Sequence, residues 1–425
     1  MTIIKQMSAV RPPADDPVRA MIARRRPGYS LEADFYLSPA IFDMDMEEIF
    51  GRHWIFVAVE PDIPEPGDYL AVDVGRHSVV LVRDDDGQVR AYHNVCRHRG
   101  ARLCVQPQGS VGNLVCSYHQ WTYTLNGKLA YAEHMGDGFD KSLYSLKPVR
   151  VESLSGLIFI CLDPEAPSDF GVMREQVEPY LRPHQIRNCK VAAQIDIIED
   201  CNWKLTLENN RECYHCAVNH PELTVSLFEF GFGYQPSPSN AEQMEHFERI
   251  SAERCREWEA AGLPSAELEA LDGCVTGYRV RRLPLDLAGE SQTLDGNAAS
   301  SKLLGTLARR DLGGLSLWTQ PNAWFHLMSD HIVAFSALPL GPERTLVRTR
   351  WLVHKDAVEN VDYHVDNLTA VWRATNAQDR ALVELSQQGV RSPAYQPGPY
   401  SPFTESLVDK FCNWYIGRLA ARYLD

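Results

Sequence analysis

The chain has 425 residues, of which 44% are hydrophobic and 23% charged, and these proportions are typical of a folded globular protein. Its length exceeds what one small core can organise, so we expect two domains or one domain with a large insertion. The formal charge of −14 argues against a nucleic-acid-binding surface, and no apolar run approaches the roughly 20 residues that span a membrane.

Residues 1–50 are predicted to form a helical segment that packs on the larger of the two domains. Their charges and prolines are scattered, and they lack the apolar stretch of a secretory signal, so we expect a cytoplasmic protein. In that compartment most of the 11 cysteines should be reduced thiols, because disulfide frameworks belong to oxidising environments.

Residues 51–165 are predicted to form a compact all-β domain. The stretch DYLAVDVGRHSVVLVRDDDGQVRAYHNV alternates apolar and polar residues, and its DDDG indicates a hairpin turn. Short strands with glycine-containing turns continue to GLIFICL. The segment DPEAPSD that follows has two prolines and little to bury, which indicates a linker.

Residues 166–425 are predicted to form a second domain of mixed helices and strands. KVAAQIDIIED, HIVAFSALPL and RTLVRTRWLVH are strand-like, AEQMEHFERISAERCREWEAAG is a polar helix, and residues 205–218 look helical. Residues 283–301 are rich in Gly, Ser and Asp, so we expect a surface excursion or a mobile loop. A long helix near 361–388 should end at Gly389, which suits a C-cap.

Two Cys–His pairs lie in predicted loops of the all-β domain: Cys96-x-His98 and, after 17 further residues, Cys116-x-x-His119. Thiolates and imidazoles in this ratio suit a structural zinc or a two-iron cluster of Rieske type. A single residue between Cys and His disfavours a zinc finger, but it suits a cluster in which the two residues bind different irons. We therefore predict a [2Fe–2S] centre, and Cys104 is expected to be a buried thiol outside it.

A second candidate metal site lies in NRECYHCAVNH. If this stretch is helical, Glu212 and His215 share one face, whereas His215 and His220 are roughly 140° out of phase. Because a residue before proline avoids the α region, Pro221 should break the helix near Asn219 and let His220 fold back beside His215. Alone, the stretch would equally suit two ordinary polar histidines. Beside a Rieske cluster it indicates a non-haem iron, which needs a carboxylate ligand.

The carboxylate is expected on the long helix. One face of that helix carries apolar or small residues at steps of three and four, with a single acid among them. These positions are Val361, Val365, Leu368, Trp372, Thr375, Asp379, Leu382 and Ser386. A buried carboxylate needs a partner, and iron would serve Asp379, although a salt bridge to an arginine is the alternative.

Cys213 and Cys216 form a C-x-x-C motif, for which a redox role must be considered. The motif lacks a βαβ context, and on a helix both residues would lie within hydrogen-bonded turns. We therefore predict structural thiols. Asn209, one turn before Glu212, is a plausible polar neighbour of the iron.

With these motifs in place, the chain resembles the α subunits of Rieske non-haem iron oxygenases over nearly its whole length. ENNRECYHC, NHPEL, VHKDAVENVDY and AYQPGPYS are similar to the quaternary-ammonium branch, the glycine betaine and proline betaine (stachydrine) demethylases. The resemblance implies an α+β fold, in which an all-β Rieske [2Fe–2S] domain is inserted in a helix-grip catalytic domain of antiparallel sheet plus helices. It also implies a homotrimeric ring, with a hexamer left open.

Carried onto this sequence, the resemblance implies that His215, His220 and Asp379 bind a mononuclear Fe(II). Glu212 would be the acidic bridge to a cluster histidine, His119 by the family pattern, across the subunit interface. Ring-hydroxylating dioxygenases usually have Asp at the bridge, so the glutamate agrees with the quaternary-ammonium branch. These four residues of the second domain are the predicted catalytic set.

The implied activity is oxidative N-demethylation of a betaine with O2, which releases formaldehyde. The chain has no NAD-binding glycine motif, so NAD(P)H electrons should arrive through a separate flavin- or ferredoxin-type reductase. The alternatives are an aromatic ring-hydroxylating dioxygenase and, in another class, a Rieske electron carrier without oxygenase activity.

A quaternary ammonium has no hydrogen-bond donor, so its recognition should use aromatic faces. The candidates are Trp324, Phe325 and Phe228, with His326 or an arginine for the carboxylate and Asn209 as a further polar contact. Each aromatic residue alone is more often part of a core than of a cage.

Overall fold

The computed structural model describes residues 16–423, so residues 1–15 of the predicted N-terminal segment lie outside the described part. Its α-helices are α1 Pro17–Ala23, α2 Asp34–Leu37, α3 Pro39–Met44, α4 Phe170–Leu181, α5 Trp203–Asn210, α6 Cys216–Asn219, α7 Pro221–Thr224, α8 Ala241–Ala260, α9 Val365–Val390 and α10 Ser406–Ala421. Its strands are β1 Ile55–Val59, β2 Asp68–Val74, β3 His77–Arg83, β4 Val89–His93, β5 Gln108–Ser110, β6 Leu114–Val115, β7 Thr122–Tyr123, β8 Leu129–Tyr131, β9 Pro148–Leu154, β10 Leu157–Cys161, β11 Cys189–Glu199, β12 Leu268–Glu269, β13 Tyr278–Leu283, β14 Gly314–Thr319, β15 Ala323–Leu327, β16 His331–Gly341 and β17 Arg344–His354. Among residues 16–423, no helix is both long enough and apolar enough to cross a membrane.

The first ten strands form two antiparallel sheets. The larger has the order β1-β10-β9-β4-β3-β2-β5, and the smaller has the order β6-β7-β8. The predicted DDDG turn joins β3 to β4, with Gly87 at φ +78°, a conformation that glycine adopts without strain. The loop after β4 and the turn between β6 and β7 carry the two Cys–His pairs, so the smaller sheet presents the predicted cluster site.

The last seven strands form one antiparallel sheet, β11-β17-β16-β15-β14-β13-β12. The long helix α9 packs against β11 and also contacts α5 and α7. The predicted combination of an all-β unit with an antiparallel sheet and helices is confirmed. Strands β13 to β15 were not predicted; in YRVRRL the alternation of apolar and charged residues that favours a strand stops at Arg282, where an apolar residue would continue it.

A buried ion pair joins the N-terminal helical segment to α5 and α10. Asp45 accepts hydrogen bonds from Trp203 Nε1 at 2.9 Å and from the Tyr415 hydroxyl at 2.7 Å. Its carboxylate also lies 2.5 Å from Lys204 Nζ, and both charged side chains are fully buried. These contacts hold Asp45, in the part of the N-terminal segment that the structure describes, against two helices of the second half of the chain.

Three predictions about local structure were wrong. The helix expected over 205–218 ends at Asn210, because the chain turns before the candidate ligands. The long helix begins at Val365 and runs through Gly389, so that glycine is not its C-cap. Residues 283–301 were expected at the surface, but Ser291 and Thr293 there are fully buried, since the loop's polar groups find hydrogen-bond partners inside.

Candidate active site

The turn after α5 positions the first pair of site residues. Glu212 and His215 lie between α5 and α6, so they share a turn rather than the predicted helix face. His215 Nδ1 lies 2.5 Å from Glu212 Oε1, and the same carboxylate accepts the backbone N–H of Tyr214. The glutamate therefore fixes the orientation of the imidazole.

His220 lies at the second break, between α6 and α7. Its backbone has φ −123° and ψ 66°, outside the α region, as the following Pro221 predicts. The break brings its ring centroid to 4.9 Å from that of His215. The predicted folding back of His220 beside His215 is thus what the structure has.

Asp379 reaches both imidazoles from α9. Its Oδ1 lies 3.3 Å from His215 Nε2 and 3.0 Å from His220 Nε2. Within the described residues, His220 Nε2 is buried and has no partner with hydrogen-bond geometry, which leaves its lone pair for another atom. Two imidazole nitrogens and one carboxylate oxygen that converge in this way fit a non-haem iron with open coordination positions.

The second nitrogen of each imidazole is also held. His220 Nδ1 lies 2.8 Å from Gln378 Oε1, and Gln378 Nε2 donates to Glu222 Oε2 at 2.8 Å. A ligand histidine whose Nδ1–H is engaged presents Nε2 to the metal, as this arrangement requires. Sequence reasoning missed Gln378 and Glu222, although Gln378 is the immediate neighbour of Asp379.

The field at the three converging atoms is negative. Burial by itself lowers the pKa of His215, but Asp379 and Glu212 outweigh it and raise the pKa to about 9. Burial raises the pKa of Asp379, but the two neighbouring imidazoles lower it overall. Both directions show that a positive charge is stabilised at this position.

The structure places Asn209 beside His215. It lies in the last turn of α5, and its Nδ2 is 3.3 Å from His215 Nε2. The side chain therefore adjoins the position where the metal would sit.

The prediction of reduced thiols was wrong for Cys213 and Cys216, which form a disulfide with Cα atoms 5.0 Å apart. The helix that was expected to carry both cysteines ends at Asn210, so Cys213 lies in a turn, and the turn brings the two sulfurs together. Cys216 Sγ lies within 4.8 Å of ligand nitrogens of both histidines, but its bond to Cys213 leaves no thiolate to bind a metal. Cys104 is a buried free thiol, as predicted, and burial raises its pKa to about 11.

The four residues of the predicted cluster lie together, with the cysteines buried and the histidines at the surface. Cys96 and Cys116 are buried at 3% and 1% exposure, whereas His98 and His119 lie at the surface with ring centroids 4.6 Å apart. His98 stacks on Trp121 at 4.7 Å. Thiolates inside and imidazoles outside fit a cluster with one iron buried and the other near the surface.

The two loops of the cluster site are built alike. In each, the backbone N–H of the fourth residue after the cysteine donates to the cysteine carbonyl, from Gly100 to Cys96 at 3.1 Å and from Gln120 to Cys116 at 3.0 Å. Gly100 and Gln120 have φ of +79° and +57°. These tight turns aim thiol and imidazole at one point.

A cavity of about 470 Å³ begins at the three converging atoms and extends along the sheet. Of the predicted substrate contacts, only His326 and Asn209 line it. Phe325 points to the other face of the sheet and packs on Phe56 with ring centroids 4.7 Å apart. Trp324 is buried in the core beside the cavity, and Phe228 lines a neighbouring pocket, so these three residues do not form the expected cage.

Other aromatic residues line the cavity instead. Trp372 lies two helical turns before Asp379, and its ring stacks on His326 with centroids 4.5 Å apart. Phe232 and Trp318 also face the cavity. Burial lowers the pKa of His326 to about 3, so its ring is neutral and acts here as an aromatic surface. The position of Trp372 could have been found from its spacing to Asp379.

Two known families match parts of this chain. Residues 53–149 match the Rieske [2Fe-2S] domain, and residues 186–421 match the ring hydroxylating alpha subunit (catalytic domain).

Among characterised relatives, the glycine betaine monooxygenase oxygenase subunit of Chromohalobacter salexigens is 43% identical over 418 residues, which cover 96% of this chain and 91% of that one. The subunit of the same name from Pseudomonas aeruginosa strain UCBPP-PA14 is 44% identical over 412 residues, covering 96% and 93%. The quaternary ammonium Rieske monooxygenase CntA, solved with L-carnitine, has the same fold, with a TM-score of 0.68 and 22% identity over 94% of this chain and 98% of that one.

Proposed function

This chain belongs to the ring-hydroxylating α-subunit family of Rieske non-haem iron oxygenases, and from that membership we propose that it is the terminal oxygenase of a glycine betaine N-demethylating system. The observation that carries the proposal is the placement of the three converging atoms at the end of an aromatic-lined cavity. The two relatives with the name glycine betaine monooxygenase oxygenase subunit support this substrate over an aromatic one.

The geometry of the site supports an assignment of the iron ligands. We assign His215, His220 and Asp379 to the mononuclear iron, and we assign Cys96, His98, Cys116 and His119 to the [2Fe–2S] cluster. The iron, when bound, supplies the centre at which O2 is activated for oxidation of a C–H bond. Asn209 adjoins this position and offers an amide to groups bound there.

The aromatic wall has the properties that a trimethylammonium group requires. Trp372 and the neutral ring of His326 present π faces without a competing positive charge. Trp372 lies two turns before Asp379 on the same helix, so the aromatic wall and the three converging atoms border one cavity. The reaction takes up O2, two electrons and two protons, and it yields water and an N-hydroxymethyl group. Cleavage of the N–CH2OH bond then gives formaldehyde, a proton and dimethylglycine.

Electrons are proposed to cross between subunits at Glu212. This side chain keeps 12% exposure while it holds His215 Nδ1, so it is accessible from outside. Exposed apolar residues surround both ends of the proposed contact: Tyr214 and Val218 beside Glu212, and Tyr118 beside the cluster. We propose that the chain forms a homotrimeric ring in the cytoplasm. A separate flavin- or ferredoxin-type reductase would supply the ring with electrons from NAD(P)H.

The test measures formaldehyde release by the iron-loaded protein with purified reductase, NAD(P)H and O2. Glycine betaine should give formaldehyde in proportion to NAD(P)H consumed, and a ring hydroxylase would instead give a hydroxylated arene from an aromatic acid. Absence of formaldehyde with glycine betaine, proline betaine and related betaines would contradict the proposed reaction.

Iron counting separates an oxygenase from a simple electron carrier. We expect about three irons per chain, against two for a carrier that has only the cluster. His215→Ala should remove turnover and one iron while it leaves the visible spectrum of the cluster. Loss of that spectrum in the variant would contradict the division into two independent sites.

A further inference from the structure

One wall of the cavity carries more positive than negative charge. Arg279 Nε donates to Glu267 Oε1 at 2.8 Å, and Arg281 Nε lies 3.1 Å from Glu267 Oε2, so two guanidinium groups share one carboxylate. Arg211 lines the same cavity and, within residues 16–423, has no carboxylate at ion-pair distance. Three positive charges against one negative charge leave a formal surplus of two.

Arg211 shows how poorly this charge is compensated. The side chain is only 2% exposed, its Nε has no hydrogen-bond partner among the described residues, and its other nitrogens bond to the amides of Asn210 and Gln320. Burial first, and then the positive charge of Arg279, lower its pKa to about 9. A buried charge without a counter-charge is costly, so the wall is suited to an anion from outside the chain.

The strand register connects this wall to the aromatic part of the cavity. Arg281 on β13 pairs with Ser316 on β14, which pairs with His326 on β15, so the three residues form one row across the sheet. Because neighbouring strands are about 4.8 Å apart, the row carries the cavity from His326 to the arginine over about 10 Å. His326 in turn stacks on Trp372, on the helix face that leads to Asp379.

The two ends of the cavity differ in charge, and the difference matches the separated positive and negative groups of a zwitterion. At the iron end, Glu212 and Asp379 offset the charge of a divalent ion, and the adjoining rings are neutral. At the other end, the arginines keep their surplus, because Lys410 and Glu269 pair with each other and cancel. A trimethylammonium group is therefore favoured at the aromatic end and repelled from the arginine end.

We propose that Arg281, with Arg279 and Arg211 behind it, binds the carboxylate of the substrate and so makes the site selective for zwitterionic betaines over simple quaternary cations. The proposal rests on the proposed function and adds the residues that bind the carboxylate of the substrate. Arg281 is the contact residue because its side chain remains 27% exposed toward the cavity, whereas Arg279 is 8% exposed and holds its guanidinium 4.8 Å over the Trp318 ring. The Arg281 Nε faces Glu267 and its Nη1 donates to the Gly231 carbonyl at 2.6 Å, so the second Nη1–H and the Nη2–H groups are the paired donors that would match a carboxylate.

The first test measures binding by calorimetry to the iron-loaded wild-type protein, without turnover. The ligands are glycine betaine, its carbon isostere 3,3-dimethylbutanoate, which keeps the carboxylate and lacks the cation, and choline, which keeps the cation and lacks the carboxylate. We expect the isostere to bind within about tenfold of glycine betaine and choline to bind at least about tenfold more weakly. Choline binding as tight as glycine betaine would overturn the proposal.

The second test uses Arg281→Gln, with Arg310→Gln outside the cavity as the matched control. The cavity variant should raise the Kd of glycine betaine about ten- to hundredfold without raising that of choline, and the control should change neither. If the Gln variant lacks the visible spectrum of the wild type, Arg281→Lys replaces it and should weaken glycine betaine binding by a smaller factor, since the charge remains and the paired donors are lost.

Equal weakening of glycine betaine and choline, or unchanged binding of glycine betaine in either Arg281 variant, would refute the role of the arginine. These outcomes are separate from failure of the proposed function. A wild-type protein that binds glycine betaine in this charge-dependent way but releases no formaldehyde would refute the reaction and leave the anion site standing.

Discussion

Replacement of Gln378 by methionine tests whether the residues around the iron ligands, and not the ligands alone, determine iron binding. Gln378 Oε1 lies 2.8 Å from His220 Nδ1, and the imidazole is 1% exposed, so water cannot replace a lost acceptor. Methionine has nearly the same length as glutamine, but it offers no comparable acceptor to the Nδ1–H group.

An unpaired buried donor costs about 1–3 kcal/mol. The metal-bound form carries this cost in full, because iron at Nε2 requires the proton to stay on Nδ1, whereas the metal-free imidazole can change tautomer. We therefore expect the affinity for Fe(II) to fall about ten- to hundredfold in Gln378→Met.

The assay is equilibrium competition of Fe(II) against a chelator, with the visible spectrum of the cluster recorded in parallel. Gln388→Met is the matched control, because Gln388 is exposed on the same helix. Wild-type iron affinity in Gln378→Met would refute the argument, and so would an equal loss in Gln388→Met, which would indicate a general effect on the helix.

Three further predictions concern other parts of the chain. Lys204→Met leaves the Asp45 carboxylate buried without its cation, so the free energy of unfolding from urea titration should fall by about 3–5 kcal/mol; a fall below about 1 kcal/mol would contradict it. Glu212→Gln should slow single-turnover product formation about ten- to hundredfold while reduction of the cluster by the reductase keeps its rate, and a matched slowing of both steps would argue against the bridge. His184 is buried, and its pKa is lowered to about 3. Between pH 6.5 and 3 the unfolded state therefore binds a proton that the folded state does not, so the free energy of unfolding should fall by about 1.4 kcal/mol for each unit by which the pH is lowered. His184→Gln should flatten the pH dependence of the urea midpoint between pH 6.5 and 5, and an unchanged slope would count against neutral burial.

The parts of the site that depend on local sequence were predictable. Each Cys–His pair of the cluster lies within one short turn that closes through its own backbone, so its spacing carries the geometry. The break at His220 followed from Pro221 alone. Glu212 and His215 do meet, although through a turn, because a separation of three residues brings side chains together in a turn as well as on a helix.

The substrate contacts were harder to predict because they depend on how distant strands pair. Trp324, Phe325 and His326 are consecutive, and strand alternation alone puts Phe325 on the face opposite to its two neighbours. Once residues 323–327 are recognised as a strand, this alternation excludes a cage that contains all three residues. Arg281 could not be placed in the same way, because the loop between β13 and β14 spans residues 284–313 and leaves the register of the two strands undetermined.

The distribution of charge, rather than the aromatic wall, is what can distinguish one quaternary amine from another. Trp372 and neutral His326 would accept any trimethylammonium group, since a π face attracts the cation whatever its substituent. Selection for a carboxylate needs positive charge at a fixed distance from that wall, and the row from His326 to Arg281 provides it. The positive charges stay effective because Glu267 is shared between two arginines and Arg211 has no acidic partner in the described part of the chain. The same surplus explains why a simple cation should be the poorer ligand even where it fits the aromatic surface equally well.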